Sequence, residues 1–174
     1  MPKFPRPSVD SEMRILRSDQ DHTAFTWGPI LGVVWRHETT VDAARALAID
    51  VGDFASELPE RKGLLLTVVT PHASLPSGEA RQALSGILRA GADTLICSAV
   101  VMEGDGFRAS AVRSVATGLA FVARQPFPHR VFSNTDSAIA WFARELKTRS
   151  SISLDIGQLG RDVGTLRSSA RNVA

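Results

Sequence analysis

The stretch Gly63-Leu-Leu-Leu-Thr-Val-Val-Thr-Pro71, followed by Ser77-Gly-Glu79 and then by Leu95-Ile-Cys-Ser-Ala-Val-Val-Met102, decides the fold. Both apolar runs are short and bounded by turn formers, the pattern of strands covered on both faces. Between them Ala80, Leu84, Ile87 and Leu88 recur at helical spacing, with Ser77 in front as a cap and Gly91 behind as a stop. A strand, a helix and a second buried strand make a crossover, and crossovers join parallel strands.

The alternation continues in both directions. Upstream, Ile30-Leu-Gly-Val-Val-Trp35 is rich in β-branched and aromatic residues. Thr39, with Asp42 three residues on, predicts the start of a helix whose Val41, Ala44, Leu47, Val51, Phe54 and Leu58 face inward. Met13 to Arg17 and His22 to Trp27 flank the polar Ser18-Asp-Gln-Asp21 and predict a hairpin, and Gly28-Pro29 interrupts the pattern after it. Downstream, Ala111, Val115, Leu119 and Val122 form a helical stripe that Gln125-Pro-Phe-Pro128 breaks. His129-Arg-Val-Phe132 reads as a short strand, and Ser133 or Asn134 caps a last helix carrying Ala138, Ile139, Phe142 and Leu146 on one face.

This order predicts an α/β domain with a mostly parallel five-stranded mixed sheet, an antiparallel edge hairpin and about four flanking helices. The domain is expected over 12–147. Residues 1–11, with three prolines, read as an extended lead-in, and the Ser/Gly/Arg-rich residues 148–174 as a polar tail, flexible or serving as a docking segment.

Composition narrows the functional classes. A length of 174 residues fits one domain, and 44% hydrophobic with 22% charged residues excludes global disorder. Twenty basic and eighteen acidic side chains leave a net charge of only +2, so no nucleic-acid partner is expected. The lone Cys97 has no disulfide partner and reads as a small buried side chain. No signal peptide or membrane span is expected, which makes the cytoplasm the expected location.

Polar residues after strand carboxyl ends are the first place to look for a site in an open parallel sheet. They are His37 and Glu38, then Thr70, His72, Ser74 and Ser77, then Glu103, Asp105 and Arg108, then Ser133 and Asn134. A serine hydrolase built from Ser77, His72 or His37, and Glu103 would need a base beside the hydroxyl and a carboxylate behind the base. Ser77 lacks the flanking glycines of a nucleophile elbow, since Leu75 and Glu79 stand there. His22, His37, His72 and His129 form no pair with metal-ligand spacing, and Gly104-Asp-Gly106 lacks the rest of a phosphate-loop pattern. No catalytic residue, metal or cofactor is therefore expected. A crevice for a small ligand or lipid, formed by His37, Glu38, Thr70, His72, Glu103, Asp105 and Arg108, is the site reading that remains.

The order of elements and the ending Arg130-Val-Phe-Ser-Asn-Thr-Asp-Ser-Ala-Ile-Ala-Trp-Phe142 resemble the STAS-like superfamily, the sulfate-transporter and anti-sigma-factor-antagonist fold, in its sporulation-antagonist-like branch. The resemblance covers roughly residues 12–147. It implies a non-catalytic regulatory or scaffolding domain that binds a protein partner or a second copy of itself. It also implies a phosphorylation switch near the start of the second helix, where Ser77 stands, although Leu75-Pro-Ser77 replaces the family's Asp-Ser. A phosphate there would be favoured by the helix N-terminus. Within the tail, Val163, Gly164, Thr165, Leu166 and Arg167 resemble the short peptides by which cargo docks inside encapsulin shells.

Overall fold

The computed structural model describes residues 12–58, 62–104, 106, 110–111, 114–115, 117–118, 125–150 and 152–169. Six strands form one sheet in sequence order: β1 (Met13–Ser18), β2 (His22–Trp27), β3 (Ile30–Trp35), β4 (Gly63–Val69), β5 (Leu95–Met102) and β6 (His129–Phe132). β1 pairs with β2 and β2 with β3 in antiparallel fashion, and β3 to β6 are parallel. The α/β mixed sheet is the expected architecture, with six strands where five were anticipated. Gly28-Pro29 is the reason the antiparallel part is larger than a hairpin. Gly28 takes the left-handed region (φ 54°) and the two residues form a tight turn that pairs Trp27 with Ile30.

The helices are α1 (Val41–Glu57), α2 (Gly78–Ala90), α3 (Thr135–Arg149) and α4 (Ile156–Ser169), and residues of the β5 to β6 crossover are helical at 110–111, 114–115 and 117–118. Thr40, not Thr39, caps α1, its hydroxyl accepting from the Ala43 N–H at 3.1 Å. Ser77 caps α2 through the Ala80 N–H at 3.2 Å, and Asn134 caps α3 through the Ser137 N–H at 2.8 Å.

Strand periodicity explains why the central strands are apolar throughout. Leu64, Leu66 and Val68 face one core with Phe25, Trp27, Trp141 and Phe142, whereas Leu65 faces the other with Leu31, Val33, Leu47 and Leu88. α3 and α4 cover the first face, and α1 and α2 the second. Cys97 is fully buried in the first core, and burial pushes its thiol up to about 12, with the Glu145 charge adding to the shift.

The largest difference from the sequence expectation lies at 156–169. Serines and glycines there suggested a flexible or docking tail, yet Leu159, Val163 and Leu166 recur at i, i+4 and i+7 and seal the sheet as α4. The Trp27 Nε1–H donates to Asp162 Oδ2 at 2.9 Å, and Arg167 pairs with Glu103. Val163 is fully buried, so the segment Val163 to Arg167 is part of the domain's own wall. Tertiary burial outweighs weak intrinsic helix propensity.

Candidate functional site

Among the described residues, the side chains expected to form a crevice make no hydrogen bond or ion pair to one another. His37 is exposed and its Nδ1 is 2.7 Å from the Gln20 carbonyl, while the exposed Glu38 donates its backbone N–H to Asp21. Thr70 Oγ1 donates to the Arg36 carbonyl at 3.2 Å, which ties the loop after β4 to the end of β3. His72 sits exposed in the turn that follows. Glu103 is held by Arg167, and Asp105 and Arg108 lie outside the described residues. Ser77 is exposed and occupied as a cap, with no hydrogen bond to His72, His37 or Glu103. Among the described residues, no three His, Cys, Asp or Glu side chains gather as a metal site would require.

The concavity lies slightly deeper, between the sheet face and α2. It is a cavity of about 90 Å³ with largely apolar walls, including Trp35, Leu65, Leu84, Ile87, Leu88 and Val115. Thr39, Ser74 and Pro76 contribute to it as well, so the strand carboxyl ends and the loop after β4 form one of its sides. Thr39 is buried there, which is why the cap falls to the next residue.

Two polar side chains mark its floor. Ser98 in β5 and His129 in β6 are direct partners across the parallel pairing, and both line the cavity. Ser98 Oγ lies 2.6 Å from His129 Nδ1. Ser98 is buried, and His129 Nε2 is shielded from solvent with no hydrogen-bond partner among the described residues. Burial holds the imidazole below the usual histidine range, in its neutral form.

The pair has two tautomers. If Nδ1–H donates to the serine, the hydroxyl proton and the Nε2 lone pair are left over. If the serine donates to Nδ1, the Nε2–H and the serine lone pairs are left over. Either way the neutral pair keeps one buried donor without a partner among the described residues.

The sign of the pH dependence is fixed by the same burial. Below pH 6.5 an unfolded histidine takes up a proton that the buried one resists, so the unfolded state binds more protons. The contribution is fully present above that pH and is lost as pH falls. Urea unfolding between pH 5 and 8 is expected to show wild type losing stability toward acid relative to His129→Asn, by at most about 1.4 kcal/mol per pH unit for one proton. Parallel profiles for the two proteins would remove His129 as the cause.

Sequence inspection missed this pair. A serine inside an otherwise apolar strand and a histidine opening the next were its only signals, and strand register was needed to bring them together. Compared with known proteins, the chain matches no family model, no curated protein and no solved structure. Among the described residues, no helix is long and apolar enough to cross a membrane.

Proposed function

We propose that this protein is a non-catalytic regulatory domain that binds a small, mostly apolar molecule carrying an oxygen acceptor in the cavity beneath α2. The observation that carries the reading is the apolar cavity lined by the Ser98–His129 pair, with Nε2 buried and without a hydrogen-bond partner among the described residues. A buried donor without a partner costs about 1–3 kcal/mol, and a ligand oxygen would recover that cost. Acyl transfer is not favoured, because Ser98 sits inside a strand rather than on an exposed turn and no carboxylate among the described residues orients His129.

Octanol, an alkyl chain with one oxygen, is the probe. Saturable binding is expected by calorimetry, together with a shift of the His129 ring signals in NMR. Val100→Phe, which adds bulk to the wall, is expected to weaken binding at least about tenfold, or ~1.4 kcal/mol. Absence of saturable binding to the wild-type protein, or an unmoved His129 signal, refutes the proposal even if the variant folds poorly.

A second reading, that of a protein-contact domain, follows the STAS-like resemblance and has its own observation. Leu75 is 48% exposed on the loop whose neighbouring Ser74 and Pro76 line the cavity. A leucine so placed couples a surface contact to the site. Light scattering is expected to show self-association that Leu75→Asp abolishes. A protein monomeric at every concentration would count against a second copy as the occupant.

A further inference from the structure

α2 has two adjacent rows of side chains with opposite chemistry. Leu84, Ile87 and Leu88 face the cavity, and Arg81, Ser85 and Arg89, spaced i, i+4 and i+8, line a second concavity on the outer side. That outer groove lies between α2 and the helical residues of the β5 to β6 crossover, with Gln82 and Ser114 also on its walls. Val115 lines both the groove and the cavity, so the two spaces meet at one side chain.

The groove is cationic. Its described walls hold no carboxylate, and neither Arg81 nor Arg89 is in an ion pair among the described residues. The acidic residue nearest in sequence on α2 is Glu79, outside the groove lining. Arg89 Nη2 donates to Ser85 Oγ at 3.0 Å, which orients one guanidinium over the centre of the row. Arg81 and Arg89 stand about 12 Å apart along the helix axis, a span that two arginine side chains can close around one anion.

We propose that the molecule bound beneath α2 is an anionic amphiphile whose carboxylate or phosphate head is held by Arg81 and Arg89 and whose short chain passes Val115 into the cavity. This rests on the cavity-binding reading above and adds the charge of the ligand. An oxygen on the buried part of the chain meets the leftover donor of the Ser98–His129 pair, while arginines grip the head through paired N–H donors. The cavity, at about 90 Å³, is smaller than the roughly 150 Å³ apolar cavity that accommodates benzene, so only the oxygen-bearing end of an alkyl chain enters it and the rest of an octyl chain, in octanol as in the anionic probes, runs out past Val115.

The test compares three probes on the full chain: octanol, ω-hydroxyoctanoate and ω-hydroxyoctyl phosphate. At least one anionic probe is expected to bind about tenfold more tightly than octanol at low salt, and which one does identifies the head. That advantage is expected to shrink as salt rises and to vanish in Arg81→Gln/Arg89→Gln, glutamine being an adequate helix former on an exposed face. Octanol binding should be the same in the double variant as in wild type. If octanol equals or exceeds both anions in the wild-type protein, the anionic head is refuted and the cavity reading stands. If no probe binds, both fail together.

Discussion

Gly32→Ala is expected to destabilise the protein by about 3 kcal/mol, read as a lowered urea midpoint with an unchanged slope. Gly32 and Phe25 are direct partners across β2 and β3, and both are buried. A Cβ placed on Gly32 would overlap the tip of the Phe25 ring at Cζ and its two Cε atoms. The glycine is there for space rather than for an unusual backbone angle, since its φ lies outside the left-handed region. Phe25 belongs to the core that α3 and α4 cover, so the ring has little freedom to retreat. The double variant Phe25→Leu/Gly32→Ala is expected to lose less than the sum of the two single changes, because the smaller side chain relieves the overlap. Strict additivity would mean that the ring is not the obstacle.

Arg36→Met is expected to cost a similar amount, ~3 kcal/mol, and to reach the functional site. The Arg36 side chain is buried at the end of β3 and donates to Thr23 Oγ1 at 2.7 Å, to the His22 carbonyl at 3.0 Å and to the Asp19 carbonyl. One guanidinium thus closes the β1–β2 turn onto β3 without a carboxylate partner among the described ion pairs. Methionine keeps the apolar stem but removes the donor of the Asp19 carbonyl, while the His22 carbonyl keeps only the Asp19 N–H and Thr23 Oγ1 only Ser18 Oγ, at about 1–3 kcal/mol for a group left unpaired where water cannot reach. The Arg36 carbonyl also accepts from Thr70, on the loop whose Ser74 and Pro76 line the cavity. Hydrogen exchange should therefore accelerate first at 19–22 and next at 70–76, and octanol affinity should fall. Arg36→Lys should rescue only part of the loss, because an ammonium cannot span the same acceptors. Full rescue by lysine would show that charge alone suffices.

Much of the fold is legible in the sequence because strands and helices announce themselves through local periodicity. Leu64 to Val69 and Leu95 to Met102 read as buried strands since both of their faces are covered, and Ser77 and Asn134 read as caps since capping is a contact between near neighbours. The misassigned cap at Thr39 follows from the same locality. Thr39 and Thr40 are equivalent as letters, and burial of Thr39 beside the cavity decides between them. Gly28-Pro29 was visible as a break but not as a turn, because the pairing of Trp27 with Ile30 depends on two strands already aligned.

The site was far less legible. His37, Glu38, Thr70, His72 and Glu103 share the property of following strands, and among the described residues no hydrogen bond or ion pair links their side chains to one another. The residues that do line one space come from α1, α2, the crossover, the loop after β4 and four strands, and they include threonine, serine and histidine at positions that look ordinary along the chain.

By itself, then, the sequence determined the class of fold: alternating apolar runs and helical stripes dictate a largely parallel sheet with helices on both faces, because each element must bury its own apolar side. The tertiary structure alone decided that residues 156–169 close the sheet and that Ser98 and His129 stand side by side on a cavity floor. Periodicity is a property of neighbours along the chain. Register, cavity shape and the pairing of buried donors arise only between segments, once packing has fixed which segments touch.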